Sequence, residues 1–438
     1  MATVISADEF RDMLDERRRG GRSFAIVDTR PRESFEGWRI ADSIHYFYKP
    51  FHEFDRDDFE AETGLRPDDA IVTACAKGKA SLDFAEQLEA AGYGEVTVVD
   101  DGMRGWSGVY DRTTVPLPNA GDDALEIVQI QRRAKGCLGY LVIGGAASES
   151  GDGSDRVAVA ESDGSDRVAV AIDVSRHGDQ WREAAAERDA SIAAVLDTHV
   201  HADHLSGGRA LADELGVPYY LPAAAAERDV AYEFEPLARN ETLDVGGVDV
   251  KALATPGHTD DMVSYLVGRS AVLTGDTLFT DSVGRTELQF AAGGDDAQGA
   301  DGVADAEDDA ESAGAATGAD RLYDSLHGTL LAEPDGVVVC PGHFAVANDG
   351  TTGDVVPGEP VTTTVGAARR EIDVLAADRE AFVDRITATL PEKPPNYEDV
   401  IAANRGVSSP PDEVSAIELE LGPNRCAAEA NPESVADD

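Results

Sequence analysis

Thr198 to Gly208 reads T-H-V-H-A-D-H-L-S-G-G, directly after the apolar run Ile192 to Leu196, and places His199, His201, Asp203 and His204 within six residues. A short apolar run bounded by polar residues reads as a buried strand, so the motif starts where a strand passes into a loop. On extended backbone, residues two apart point to the same side. His199 and His201 can therefore share one ion, while Asp203 and His204 lie past the turn and face a neighbouring position. Imidazole and carboxylate are the ligands that borderline metals such as zinc and iron prefer.

The remaining ligands follow in order. His258 sits in T-P-G-H-T (Thr255 to Thr259), Asp276 in L-T-G-D-T (Leu273 to Thr277) and His343 in C-P-G-H-F (Cys340 to Phe344), each after an apolar stretch that reads as a strand. Five of the nine histidines belong to this set. The series H-x-H-x-D-H, G-H, G-D, G-H resembles the metallo-β-lactamase superfamily over roughly residues 125 to 365, with an extension to about 406. The resemblance implies an α/β fold in which two mixed sheets are sandwiched between helices (αββα), with the ligands on loops at one edge. Carried over residue by residue, one metal position takes His199, His201, His258 and Asp276, and the other Asp203, His204, Asp276 and His343.

Residues 1 to about 115 read as a separate, small α/β unit in which strands alternate with helices, as expected of a 438-residue chain with two cores. Its strands are F-A-I-V-D-T-R (Phe24 to Arg30), I-V-T-A leading into Cys75, and Val96 to Val99. The loop C-A-K-G-K-A-S then opens a helix. Backbone N–H groups of such a loop, with the helix N-terminus, can curl around the Cys75 sulfur and hold it as an anion or persulfide. Lys77 and Lys79, two of only six lysines, flank it as candidate contacts for an anionic substrate. V-D-T-R, the Cys75 loop and G-M-R-G-W (Gly102 to Trp106) together resemble the rhodanese (sulfurtransferase) domain. The resemblance implies that Cys75 is the sulfur-accepting nucleophile. Lys79 and Ser81 stand where many members carry an arginine.

Residues 116–124 read as a linker, 125–406 as the metallo-β-lactamase-like domain, 292–320 as an acidic disordered insertion in it, and 407–438 as a polar tail. The segment D-G-S-D-R-V-A-V-A occurs at Asp152 and again at Asp163. The second copy continues into a strand expected to return beside Cys137 to Ile143 as a hairpin. The cysteines, Cys75, Cys137, Cys340 and Cys426, are scattered and read as free thiols: Cys137 and Cys340 as core, Cys426 as part of the polar tail. With 37 basic against 85 acidic residues the formal charge is −48, which argues against nucleic acid and anionic membranes as partners and fits a salt-rich, halophilic cytosol. The N-terminus lacks the pattern of a signal peptide and no apolar run spans a bilayer, so a soluble, cytoplasmic protein is expected. A homo-oligomer is compatible with these features.

Three segments narrow the chemistry: H-A-D-H-L-S-G-G-R-A-L-A followed by P-Y-Y-L, G-R-T-E-L (Gly284 to Leu288), and P-P-N-Y-E-D-V-I-A-A-N-R-G near the C-terminus. They resemble the persulfide dioxygenase branch of the superfamily, close to glyoxalase II and commonly fused to rhodanese domains. This resemblance implies one Fe(II) on His199, His258 and Asp276, with positions open for a low-molecular-weight thiol persulfide and O2. His201, Asp203, His204 and His343 then serve as a second site or as outer partners, and Arg285 as a contact for the carboxylates of the thiol carrier. Sulfite and thiol are the implied products, and the rhodanese unit exchanges sulfane sulfur with thiosulfate or sulfite. The alternatives are a zinc hydrolase of the glyoxalase II type acting on hydroxyacylglutathione through one or two ions, and a non-catalytic sulfur-carrier module.

Overall fold

The computed structural model describes residues 2–50, 52, 54–118, 125–145, 156–158, 167–288, 304–388, 390, 393–422 and 424–427. Short β-branched runs near the N-terminus form a parallel sheet ordered Thr3–Ile5, Val96–Val99, Ile71–Ala74, Ala25–Asp28, Ser43–His45. Parallel neighbours need crossover connections, and helices Ala7–Arg18, Arg32–Gly37, Arg56–Thr63 and Lys79–Ala90 lie within them. Apolar side chains bury both faces of the sheet, with Phe59, Phe84 and Leu88 in one core and Phe10, Met13 and Trp106 in the other.

The rest of the chain builds two seven-stranded mixed sheets packed face to face. One runs Glu235–Leu237, Tyr219–Pro222, Ala190–Leu196, Arg167–Ile172, Cys137–Ile143, Glu126–Arg132, Tyr110–Thr114. The other runs Thr363–Thr364, Val338–Pro341, Ala271–Gly275, Val263–Val267, Val248–Ala254, Thr242–Val245, Arg156–Ala158. Their facing sides share a core that includes Tyr140, Val170, Leu196, Val250, Tyr265 and Leu273. Helices Asp179–Ala186 and Gly208–Leu215 cover the outer face of the first sheet, and Ala304–Gly328 and Arg379–Ala388 that of the second. This is the αββα sandwich. The expected hairpin is present, with Arg167–Ile172 antiparallel to Cys137–Ile143 from Ala169↔Ile143 to Ile172↔Tyr140. Of the first D-G-S-D-R-V-A-V-A copy, only 156–158 is described, as an edge strand parallel to Thr242–Val245.

Three boundaries differ from the sequence reading. Strand Tyr110–Thr114, expected to end the first domain, pairs antiparallel with Glu126–Arg132 and so belongs to a sheet of the second. In the acidic stretch, residues 292–303 lie outside the described residues, but Ala304–Gly328 is helical. Alanine is the strongest helix former, and Ala315, Ala319, Leu322 and Leu326 recur on one face and are buried, the last three in a core with Val272, Val339 and Phe382. Composition hid that stripe among Gly, Asp and Glu.

The third difference is the C-terminal segment, which is anchored. Helix Glu413–Leu419 leads to Glu420, which is buried (2% exposed). Its carboxylate accepts from both terminal nitrogens of Arg132 at 3.0 Å, from Arg176 Nε and from the Leu205 N–H at 2.8 Å. Lys135 Nζ donates to the Glu420 carbonyl at 3.1 Å, and Asn424 Nδ2 donates to the Lys135 and Phe344 carbonyls at 2.6 and 3.1 Å. A polar segment is thus held by long-range pairing that its own composition does not reveal. Among the described residues, no helix is long and apolar enough to cross a membrane.

Burial alone raises the pKa of Glu420, but Arg132 and Arg176 outweigh it and hold the carboxyl well below its ordinary 4.5. A depressed folded value contributes stability above the ordinary pKa, and that stability is lost as pH falls toward the folded value. We expect Glu420→Gln to cost about 3–5 kcal/mol in urea unfolding at neutral pH, because Arg132 stays buried without its counter-charge. The gap from the native chain should narrow as pH falls below 4.5. Equal stabilities at neutral pH would contradict the anchoring role.

Candidate metal centre

The ligands stand where four strands end. His199 to His204 follow Ala190–Leu196 in the first sheet of the sandwich, whereas His258, Asp276 and His343 follow Val248–Ala254, Ala271–Gly275 and Val338–Pro341 in the second. Backbone and phenol hydrogen bonds stitch the sheets together at this edge: Val263 N–H to Thr198 O at 2.9 Å, Tyr265 OH to Asp197 O at 2.8 Å, and Leu138 N–H to Gly342 O at 2.8 Å. Glycines let the loops meet. Gly275 has φ +48°, and a Cβ on Gly342 would lie 2.5 Å from Asp276 Oδ1, so the glycines of the G-D and G-H motifs have a steric reason.

Hydrogen bonds fix the tautomers of two ligands. His258 Nδ1 lies 2.8 Å from the Arg285 carbonyl, an acceptor only, so it carries the proton and leaves Nε2 with its lone pair. Thr198 Oγ1 donates to Asp173 at 3.0 Å and accepts from His199 Nδ1 at 2.9 Å, which leaves His199 Nε2 likewise free to bind. Burial holds the pKa of both rings down, His199 well below the ordinary value, which favours the neutral form that can ligate.

His199 Nε2, His258 Nε2 and Asp276 Oδ2 are buried and have no hydrogen-bond partner. The ligating atoms of these residues lie within 4.8 Å of one another, with Asp276 Oδ2 at 3.5 Å from His258 Nε2 and 4.0 Å from His199 Nε2. Two imidazoles and a carboxylate directed at one point fit a divalent cation, and the site needs one to satisfy these atoms.

The other candidate ligands satisfy one another differently. His343 Nδ1 meets Asp276 Oδ1 at 2.6 Å and its Nε2 meets Asp203 Oδ2 at 2.9 Å, while His204 Nδ1 meets Asp203 Oδ1 at 3.0 Å. A carboxylate at each nitrogen favours the imidazolium form of His343. Burial opposes the charge, but Asp276 and Asp203 outweigh it and raise its pKa well above the ordinary range. His201 stands beside His199, with ring centroids 4.3 Å apart, and neither of its ring nitrogens has a hydrogen-bond partner. Its Nε2 lies 3.3 Å from Asp173 Oδ1, and its ligating atoms group with Asp173 and Asp197 rather than with His199 and His258. The first position therefore gathers three of the four residues assigned to it by the motif.

Sequence reasoning missed several residues that hold the H-x-H-x-D-H loop. Asp261 accepts from the Val200 N–H at 2.8 Å and from Arg228 at 2.8 Å. Asn404 Nδ2 donates to the His201 and His204 carbonyls at 2.8 Å each, and its Oδ1 accepts from the Ser206 N–H at 2.8 Å. The asparagine in A-A-N-R-G was the available signal. Leu205, Val400 and Ala416 pack together beside it, so the C-terminal helices lie on the ligand loop. Two cysteines also reach the centre, Cys137 with its Sγ 3.5 Å from Asp203 Oδ2, and Cys426. Burial and Asp203 push the Cys137 thiol up, yet His204 and His343 bring it down to about 7.

Arg285 does not face a solute. Its guanidinium is 1% exposed, donates from Nε to Glu287 at 2.6 Å and from a terminal nitrogen to the Arg425 carbonyl at 2.8 Å. The expectation that it binds the carrier's carboxylates is replaced by a structural one: it ties the His258-supporting turn to the C-terminal segment.

In the first domain, Cys75 is buried (5% exposed) at the end of Ile71–Ala74, with its carbonyl accepting from the Met103 N–H at 2.8 Å. Gly102 makes this approach possible, since a Cβ there would lie 1.9 Å from that oxygen. In V-D-T-R, Arg30 and Asp28 form a buried pair at 2.7 Å. Lys77 and Lys79 are exposed, and Lys77 Nζ lies 3.7 Å from Glu418, which also receives Arg104 at 2.7 Å. A cleft of about 570 Å³ between the two domains is lined by Trp38, Trp106, Arg133 and Val356, among others, and by none of the metal-ligating residues.

Comparison with known proteins agrees with this architecture. Residues 6–108 match the rhodanese-like domain and residues 159–343 the metallo-beta-lactamase superfamily. A hydroxyacylglutathione hydrolase of Acidiphilium cryptum is 43% identical over 102 residues, 22% of this chain and 42% of that protein, so the chain spans less than half of its length. An uncharacterized protein of Mycobacterium leprae is 31% identical over 201 residues, 40% of this chain and 73% of that protein. The crystal structure of ETHE1 from Myxococcus xanthus is 26% identical with a TM-score of 0.45, covering 64% of this chain and 97% of that one. With two sheets between helices, a buried ligand set at their shared edge, the two family matches and the Mycobacterium leprae relative, the chain belongs to the metallo-β-lactamase superfamily and carries a rhodanese-like domain ahead of its metal-binding fold.

Proposed function

We propose that the protein is a persulfide dioxygenase in which His199, His258 and Asp276 hold Fe(II), and that its rhodanese-like domain exchanges sulfane sulfur through Cys75. The observation that carries this reading is the partition of the ligand set. Of the buried ligand atoms without partners, those of His199, His258 and Asp276 converge and those of His201 group with Asp173 and Asp197, while Asp203, His204 and His343 are joined by hydrogen bonds through Asp203 and reach the far oxygen of Asp276 through His343. Two histidines and one carboxylate on one face characterise non-haem Fe(II) oxygenases rather than closed structural zinc sites. Ferrous iron, when bound, supplies redox chemistry and open positions for O2 and a thiolate sulfur.

The chain's own groups orient and exclude. Arg285 O and Thr198 Oγ1 set the ring tautomers, and His343 holds Asp276 Oδ1 so that Oδ2 remains directed at the triad. The ligands are at most 1% exposed, which keeps bulk water from the centre. In the proposed reaction the outer sulfur of the persulfide takes both atoms of O2 and one oxygen of water, leaves as sulfite and releases the thiol and protons. Cys75 either delivers sulfane sulfur to the thiol beforehand or combines it with the sulfite afterwards.

A second reading, a dinuclear zinc thioester hydrolase, draws support from the similarity to hydroxyacylglutathione hydrolases and from the presence of Asp203, His204 and His343. Hydrolysis gives no reason for an attached sulfur-transfer loop, so we rank it second.

Iron-loaded protein should consume O2 with a thiol persulfide and produce sulfite in equal amount. Zinc-dependent thioester hydrolysis without O2 uptake would transfer the assignment to the second reading. Metal analysis after iron loading separates the histidines: His258→Ala should lose bound iron, whereas His201→Ala should keep about one iron per chain. Equal loss in both variants would return His201 to the ligand set. Cys75→Ser should abolish sulfur transfer from thiosulfate yet spare O2 uptake on preformed persulfide. Parallel loss of both activities in a folded variant would refute that division.

A further inference from the structure

The C-terminal helix Glu413–Leu419 meets the rhodanese-like domain at the Cys75 loop, and the contact is one of charge. A single oxygen of Glu418, Oε1, lies 2.7 Å from a terminal nitrogen of Arg104 and 3.7 Å from Lys77 Nζ. Both cations belong to the surroundings of the cysteine. Lys77 stands two residues after it, and the Arg104 N–H donates to the Ala76 carbonyl at 3.4 Å, next to the Met103 N–H on the Cys75 carbonyl at 2.8 Å. Glu418 therefore sits on the cationic rim of the loop, although it follows Arg104 by 314 residues.

Holding the helix in place does not require this contact. Buried Glu420 already pins the segment through Arg132, Arg176 and the Leu205 N–H, and Arg176 also meets Glu413 at the first residue of the helix. A pair in which Glu418 is 52% and Lys77 53% exposed adds little anchoring beside that. Its consequence is electrostatic. A small dianion such as thiosulfate or sulfite approaches a chain with a formal charge of −48 and needs local cations to reach the cysteine. The Arg104 side chain is 9% exposed, so an anion that uses its terminal nitrogen takes the place of Glu418. Because the carboxylate touches the guanidinium directly, the competition persists in salt, where screening acts beyond about 3 Å at 1 M.

We propose that Glu418 is a specificity-determining residue of the Cys75 site: it competes with anionic sulfur donors for Arg104 and Lys77, and so sets the selectivity of the cysteine against thiosulfate and sulfite. The proposal rests on Cys75 as the sulfur acceptor. In that step the Cys75 thiolate attacks the outer sulfur of thiosulfate and the sulfur–sulfur bond of the donor breaks. Its electron pair leaves with sulfite, and Cys75 keeps the sulfur as a persulfide anion, with three negative charges before and after. Removing the Glu418 charge frees the cations for the donor without altering the thiolate, so the effect belongs to KM rather than kcat.

The test uses the full chain in potassium chloride at about 1 M, where charges farther apart than about 3 Å are screened. With thiosulfate as donor and cyanide as acceptor, Glu418→Gln should lower KM about three- to tenfold at unchanged kcat, as for one unit charge removed beside a dianion. Glu413→Gln makes the same change of charge on the same helix and should leave KM alone. In an Arg104→Gln background the gain from Glu418→Gln should disappear. Alkylation of Cys75, followed by peptide mass spectrometry, reads the same field without turnover. Glu418→Gln should speed iodoacetate relative to neutral iodoacetamide about twofold or more. An alkylation ratio that does not move overturns the proposal, as does an unchanged KM in an active enzyme, an equal gain in Glu413→Gln, or a gain that survives the loss of Arg104. A shifted ratio in a chain that turns over no thiosulfate supports the competition and removes the sulfurtransferase reading instead. A Cys75 inert to every reagent in the native chain and in Glu418→Gln overturns both.

Discussion

Three buried polar atoms without partners, on His199, His258 and Asp276, set the terms for the surrounding structure. Leaving a buried polar group unsatisfied costs about 1–3 kcal/mol, more when it is charged. Three such groups facing one another while buried are a standing cost unless a cation joins them. Everything nearby fixes that geometry: glycines that let loops touch, a threonine and a carbonyl that set tautomers, and an asparagine that binds the loop backbone. Rigidity here reduces what must be reorganised when an ion enters.

The H-x-H-x-D-H line was legible because its information is local: adjacent residues on one strand end need only the period of a strand to be read. The G-H and G-D motifs were legible as similarly spaced punctuation after apolar runs. What stayed hidden depends on distant partners. His201 groups with Asp173, on the neighbouring strand end and 3.3 Å from its Nε2, although it stands two residues from His199. Glu420 and Cys426 sit in a segment whose composition is that of an unstructured tail, and partners far away in sequence, Arg132 and Arg176 for the one and Asp203, Asp276 and His343 for the other, surround them. Arg285 was read for its charge, whereas Glu287 two residues on takes up that charge.

The preference for arginine over lysine acquires a structural aspect. Arg30 with Asp28, Arg133 with Asp15 and Asp111, and Arg132 with Glu420 are buried or half-buried pairs in which a planar fork meets carboxylates through more than one nitrogen. A lysine offers a single point charge and cannot reproduce these contacts. In a chain with a formal charge of −48, each such pair withdraws an acidic group along with the basic one, so the basic groups left outside are a smaller share of the charged surface while the net charge is not made more negative.

Strand Tyr110–Thr114 leaves the rhodanese-like domain and becomes the outermost strand of a sheet in the metal-binding domain. The chemical boundary and the mechanical one therefore do not coincide. A cut in the polar stretch after Thr114 takes that strand away, uncovers the hydrogen-bonding edge of Glu126–Arg132, and leaves the detached domain with an unpaired ribbon able to recruit other chains. Evolution or engineering that exchanges one domain for another must carry this strand with the sheet it completes, so the movable unit is longer than its active-site motifs suggest.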